Sequence, residues 1–195
     1  NHFSSIKIRR CSARGVMLPS PLSAQVIVWA LLLAWLAICV IFDLRSRQVP
    51  AFLTILPLIL AAIWQLFQGG WQLVALVALL VLISDLPWTE WRISVACTMT
   101  VLGLSIGGSP GIVYAMLVVF AVWALWEIGA TGGADAKIII ALVLFLSNGL
   151  VFIPIVLVGG VQGLVGLIAG RKTIPYTVAI ALGTVAWLWM TNYPK

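Results

Sequence analysis

Residues 26–42 read VIVWALLLAWLAICVIF, an unbroken apolar run that stops directly on Asp43-Leu44-Arg45-Ser46-Arg47. A run of this kind approaches the ~20 apolar residues that a helix needs to cross a bilayer. It is continuously apolar and does not alternate, so it reads as a helix and not as a barrel strand. No small-residue cleavage site follows it, so it reads as a retained helix and not as a signal peptide. Seven further apolar runs follow, giving expected spans at 24–42, 51–67, 71–86, 93–107, 110–128, 136–150, 152–169 and 174–191. Turn chemistry separates them, as at Gln68-Gly69-Gly70, Gly107-Gly108-Ser109-Pro110 and Ser147-Asn148-Gly149. The expected fold is all-α, a polytopic transmembrane helical bundle of six to eight crossings, with eight preferred.

Composition agrees. Hydrophobic residues make up 63% of the 195-residue chain and charged residues only 8%, where a soluble domain carries about a quarter charged. The formal charge of +6 is spread over short connections and one terminus, which points to helix orientation and not to nucleic acid. Cys11, Cys39 and Cys97 are scattered without a CxxC or a neighbouring His, so neither a disulfide scaffold nor a metal site is expected. Residues 1–16 form a polar, basic tail, read as an upstream extension or a cytoplasmic-type tail. Residues 17–195 are read as a single membrane domain in which 71–107 is an inserted hairpin.

Eight crossings place Arg45, Arg47, Arg92, Lys137, Arg171 and Lys172 on one side. The other side holds Lys195, joined by Lys7, Arg9, Arg10 and Arg14 if the tail is counted. Without the tail the vote is six to one for the first side as cytoplasmic; with it, six to five. All five acidic residues, Asp43, Asp85, Glu90, Glu127 and Asp135, fall on that first side.

Two of these acids sit in motifs. Asp43 begins Asp43-Leu44-Arg45-Ser46-Arg47-Gln48-Val49-Pro50, and Asp135 ends Gly132-Gly133-Ala134-Asp135 ahead of Ala136-Lys137 and an apolar run. They are 92 residues and four expected crossings apart, so both return to one face. Carboxylates beside lipid are costly unless paired or hydrated, and mark function by default. Taken singly, Asp43 could be a charged helix end that fixes topology, and Asp135 a helix cap. Lys137 reads equally well as a positive-inside anchor. Glu127 reads as an interfacial charge, and Asp85 and Glu90 as solvated loop charges. Trp29, Trp64, Trp71, Trp88, Trp91, Trp187 and Trp189 cluster near expected span ends, as an aromatic belt would.

The two motifs together resemble those of the prepilin peptidases (type IV leader peptidases), within the GxGD intramembrane aspartyl proteases. The family pattern D-x-x-x-x-x-[IVL]-P-N is matched from Asp43 to Pro50, with Ala51 in place of Asn. The pattern G-x-G-D-x-K is matched at Gly132, Asp135 and Lys137, with Ala134 in place of the second Gly. A weaker likeness runs from Ile174 to Gly183, against I-P-[YF]-G-P-x-x-A-x-G. The resemblance covers about residues 26–67 and 110–190.

It implies an aspartic endopeptidase of the short form, without the methyltransferase-associated domain. Such an enzyme cleaves the leader of a type IV prepilin-like precursor at the cytoplasmic face of a prokaryotic cell membrane, with no metal or organic cofactor. Asp43 and Asp135 would be the catalytic pair. Gly132 and Gly133 would shape the loop through backbone angles and close approach, with Ala134, Lys137, Arg45 and Pro50 in support of the motifs. One carboxylate would take a proton from water while its protonated partner hydrogen-bonds the scissile carbonyl. With Asp43 after a helix C-terminus and Asp135 before an N-terminus, the helix dipoles would leave the shared proton on Asp43. Two other readings stay open. One is a catalytically silent relative serving as a membrane assembly component, to which Ala134 and Ala51 point. The other is a transporter using the aspartates in an ion path, although no internal repeat is evident.

Overall fold

The computed structural model describes residues 21–85, 89–105, 109–170 and 175–192. The N-terminal tail, Trp88, Arg171, Lys172, Ile174 and Lys195, together with the side chain of Glu90, lie outside the described residues. The structure is all-helical, with α1 (Pro21–Ser46), α2 (Ala51–Phe67), α3 (Trp71–Ser84), α4 (Thr89–Ser105), α5 (Pro110–Glu127), α6 (Gly133–Leu146), α7 (Phe152–Ile168) and α8 (Tyr176–Asn192). A single 3-10 turn, Gly149–Val151, sits between α6 and α7. Among the described residues, three stretches are long and apolar enough to cross a membrane: Val26–Ser46, Pro110–Glu127 and Gly149–Ile168. Large apolar side chains such as Leu31, Leu82, Val161 and Leu167 face outward. These features suggest association with a bilayer, whose lipid tails would cover such a surface.

The helix α6 is the axis of the bundle. Ala136 and every residue from Ile138 to Leu144 are buried, and a helix apolar all round belongs inside a bundle. Helix α2 lies along it, α5 packs on another side, and α8 approaches from a third. At 14 residues α6 is only ~21 Å long, short for an independent crossing, but its neighbours enclose it. Helices α3 and α4 pack on each other, and both pack on α5. Leu73, Leu76, Val77, Leu80 and Ile83 of α3 enter the common core.

Helices in lipid gain little from the hydrophobic effect between themselves and hold together by close packing and buried polar contacts. Both are present. Pro57 lies inside α2 and has no N–H for the carbonyl four residues back. That carbonyl, of Leu53, instead accepts the Trp35 indole N–H of α1 at 2.8 Å. Between α7 and α8, a Cβ on Gly183 would lie 2.5 Å from Ile155 Cα, so glycine sets the helix separation there. Trp123 of α5 is buried and donates its indole N–H to Ser84 of α3 at 2.8 Å.

Candidate active site

Asp43 lies inside α1, in its last turn, and not after the helix as the apolar run implies. The helix continues to Ser46 and ends where Arg47, in the left-handed region at φ 53°, donates its N–H to the Asp43 carbonyl. Leu44 and Arg45 are good helix formers, so the helix outlasts the apolar pattern. Asp135 is likewise within a helix, as the third residue of α6. It is not the cap: that position is Gly132, whose carbonyl accepts the Ala136 N–H at 3.0 Å.

The fold brings Asp43 and Asp135 within electrostatic reach of each other. Both are partly buried. The first turn of α8 lies beside both. Thr177 donates its hydroxyl to Asp43 Oδ2 at 2.5 Å, and the neighbouring Tyr176 lies in electrostatic reach of Asp135. The start of α8 is itself anchored to α7. Gln162 donates its side-chain N–H to the Pro175 carbonyl at 2.9 Å, and the Tyr176 ring lies so close over Gly159 that a Cβ there would meet it at 2.6 Å.

The connection from α5 to α6 is folded tightly. The N–H groups of Ala130 and Thr131 both reach the Leu125 carbonyl, at 2.8 and 3.2 Å, and Gly129 takes φ 74° to allow the reversal. Close approach, one of the two uses expected of the motif glycines, is evident. A Cβ on Gly132 would come 3.1 Å from Asp135 Oδ2, and one on Gly133 would come 3.2 Å from the Trp126 indole nitrogen. The other expected use, an unusual backbone angle, is absent, since neither glycine has a positive φ. Ala134 sits in the first turn of α6 with ordinary negative φ, so the alanine brings no backbone strain.

Supporting residues fare differently. Lys137 is in the first turn and a half of α6 and partly buried. Arg45 is exposed, and Pro50 is the residue that opens α2. Glu127, at the end of α5, pairs with Arg92 of α4 at 2.5 Å. Asp85 is exposed at the end of α3. Among the described residues no group of three or more His, Cys, Asp or Glu gathers as a metal site would require. Tyr176 and Thr177 were visible only as part of the third likeness, with no role attached. The signal available was a polar hydroxyl opening an otherwise apolar helix.

No protein-family model, no curated protein and no solved structure matches this chain. The functional reading therefore rests on the residues and their geometry.

Proposed function

We propose that this chain is an aspartic endopeptidase of the prepilin-peptidase type, an eight-crossing protein of a prokaryotic cell membrane with its site toward the cytoplasm. Its substrate would be a pilin-like precursor, cut between a short basic leader and an apolar helix. The observation that supports this reading is that Asp43 and Asp135, 92 residues apart in the chain, lie within electrostatic reach of each other, with Thr177 of α8 bonded to Asp43. Two carboxylates that close share a proton and work as a unit.

The division of labour follows from the contacts. Helix-end electrostatics favours the proton on Asp43, in the last turn of α1, by about 0.3–1 kcal/mol. That term is outweighed by the hydroxyl hydrogen Asp43 accepts from Thr177, because a hydrogen bond to an ionised oxygen is worth about 1.5–3 kcal/mol. Asp43 is therefore the base and Asp135 the proton carrier. Water attacks the scissile carbonyl carbon and gives a proton to Asp43, while Asp135 donates a hydrogen bond to the carbonyl oxygen. On collapse of the tetrahedral intermediate the C–N bond breaks, and the proton held by Asp43 passes to the leaving amine. The new carboxyl terminus leaves with the leader.

The test is incubation of membranes bearing the protein with a pilin-type precursor. Wild type should shorten the precursor by its leader, and Asp43→Ala and Asp135→Ala should each leave it intact. Processing that survives either single change would overturn the pairing. A wild type inert toward a panel of precursors would favour the silent-relative or transporter readings.

A further inference from the structure

The buried threonines behave in two ways. Thr54, Thr100 and Thr184 turn their hydroxyls back onto a carbonyl of their own helix, those of Ala51, Ala96 and Ile180. This is the ordinary way to satisfy a hydroxyl in an apolar helix. Thr177 is just as enclosed, at 2% exposure, but its hydroxyl crosses to α1 and reaches Asp43 Oδ2. As the second residue of α8 it has no helical carbonyl a full turn behind it. A buried hydroxyl left alone would cost stability, so the position requires a partner on another helix, and Asp43 supplies it.

We infer that Thr177 is a positioning residue for Asp43: it occupies Oδ2 and so presents Oδ1 as the oxygen that takes the proton from water. This rests on the peptidase reading and goes beyond it, since neither aspartate motif contains the residue. Three features fit it for the task. A β-branched side chain has few rotamers, so the hydroxyl direction is set by the backbone. That backbone is held by the Gln162–Pro175 hydrogen bond and by the seat of Tyr176 on Gly159. The hydroxyl end of the bond is buried, which limits competition from water. Asp135 from α6 and Tyr176 from α8 also lie in this corner. Neither replaces the hydroxyl as a donor to Asp43 Oδ2 among the described residues. The pattern in the third likeness has glycine at this position, which offers no hydroxyl, so the contact is this chain's own.

Thr177→Val removes the hydroxyl and keeps the shape, and Thr177→Ser keeps the hydroxyl. In purified protein, Thr177→Val should lower kcat about ten- to a hundredfold, the range expected for a hydrogen bond to a charged group, with KM nearly unchanged. Thr177→Ser should recover most of the loss. Independently of activity, the carboxylate stretching band identified by its loss in Asp43→Asn should shift in Thr177→Val and return in Thr177→Ser. An unmoved band overturns the contact, and a shifted band with unchanged kcat overturns the positioning role. If the wild type cleaves no precursor, the peptidase reading fails by itself, and the infrared band still decides the contact between Thr177 and Asp43.

Discussion

The two ends of this bundle are each closed by a polar bond between distant helices, and they use it differently. At the far end Ser147 donates to Gln65 Oε1 at 2.7 Å, joining α6 to α2. Gln65 is buried and its amide lies across Gly70. Asn148 accepts the Leu150 N–H, and Gly149 packs on the Tyr114 carbonyl of α5. Neutral groups satisfy one another there and the backbone approaches as closely as it can. At the near end the acceptor is a carboxylate, and Thr177 occupies one of its oxygens. Among the described residues the other oxygen takes no protein hydrogen bond. A neutral contact fastens two helices, whereas a carboxylate held through one oxygen keeps the other as an acceptor for a reactant. The difference makes the far end a fastening and the near end a candidate for chemistry.

The largest effects should therefore separate cleanly. Asp43→Asn and Asp135→Asn are each expected to reduce precursor processing by roughly 10²–10⁴-fold while leaving thermal unfolding in detergent nearly unchanged. Infrared spectra of the same variants sharpen the assignment: the protonated-carboxyl band should vanish in Asp135→Asn and persist in Asp43→Asn. Gly149→Ala should do the reverse. Its Cβ would stand 2.4 Å from Tyr114 O, a clash with backbone that cannot rotate away. A loss of about 1–3 kcal/mol is expected for such overpacking, read as a lower unfolding temperature, with unchanged turnover per folded molecule. Ser147→Ala is milder. Losing its bond to Gln65 should cost about 1 kcal/mol, again without effect on turnover. A change in turnover from either far-end variant would break the division between the ends.

Much of this was legible in the sequence, for identifiable reasons. Glycine and proline breaks bracket helices α2, α3, α5 and α7 within one or two residues of the expected spans, because loops in lipid-facing chains must be short and chemically marked. Boundaries moved by three or four residues at both ends of α1 and α6 and at the start of α4, and two of these shifts fall at the candidate site. Helix α1 runs through Asp43 to Ser46, and α6 begins at Gly133, ahead of Asp135. Hydropathy locates where lipid begins, but backbone hydrogen bonding continues across charged residues that are good helix formers. Asp43 and Asp135 could be named because their motifs are local. Thr177 could not be given a role, because its partner is 134 residues away and no periodicity encodes that pairing. For the same reason the use of Gly132 and Gly133 was only half legible: space beside Asp135 and Trp126 is a tertiary fact.

The smallest effect on the site concerns the pair Arg92–Glu127, which ties α3 and α4 to the end of α5. Its side chains are 18% and 16% exposed, between the exposed case worth about 0–1 kcal/mol and the buried case in which losing one partner costs about 3–5 kcal/mol. Yet Glu127 immediately precedes the turn that leads to Asp135, so the pair could in principle hold the second motif. The local bonds argue against such a role. The turn is already closed by two N–H groups on the Leu125 carbonyl and by Trp126 lying over Gly133, and neither contact involves Arg92. Arg92→Met, which keeps much of the apolar stem, should lower stability by about 1–3 kcal/mol and change turnover less than threefold. A tenfold loss of turnover at unchanged stability would mean that the hairpin, which lies outside both aspartate motifs, holds Asp135 in place.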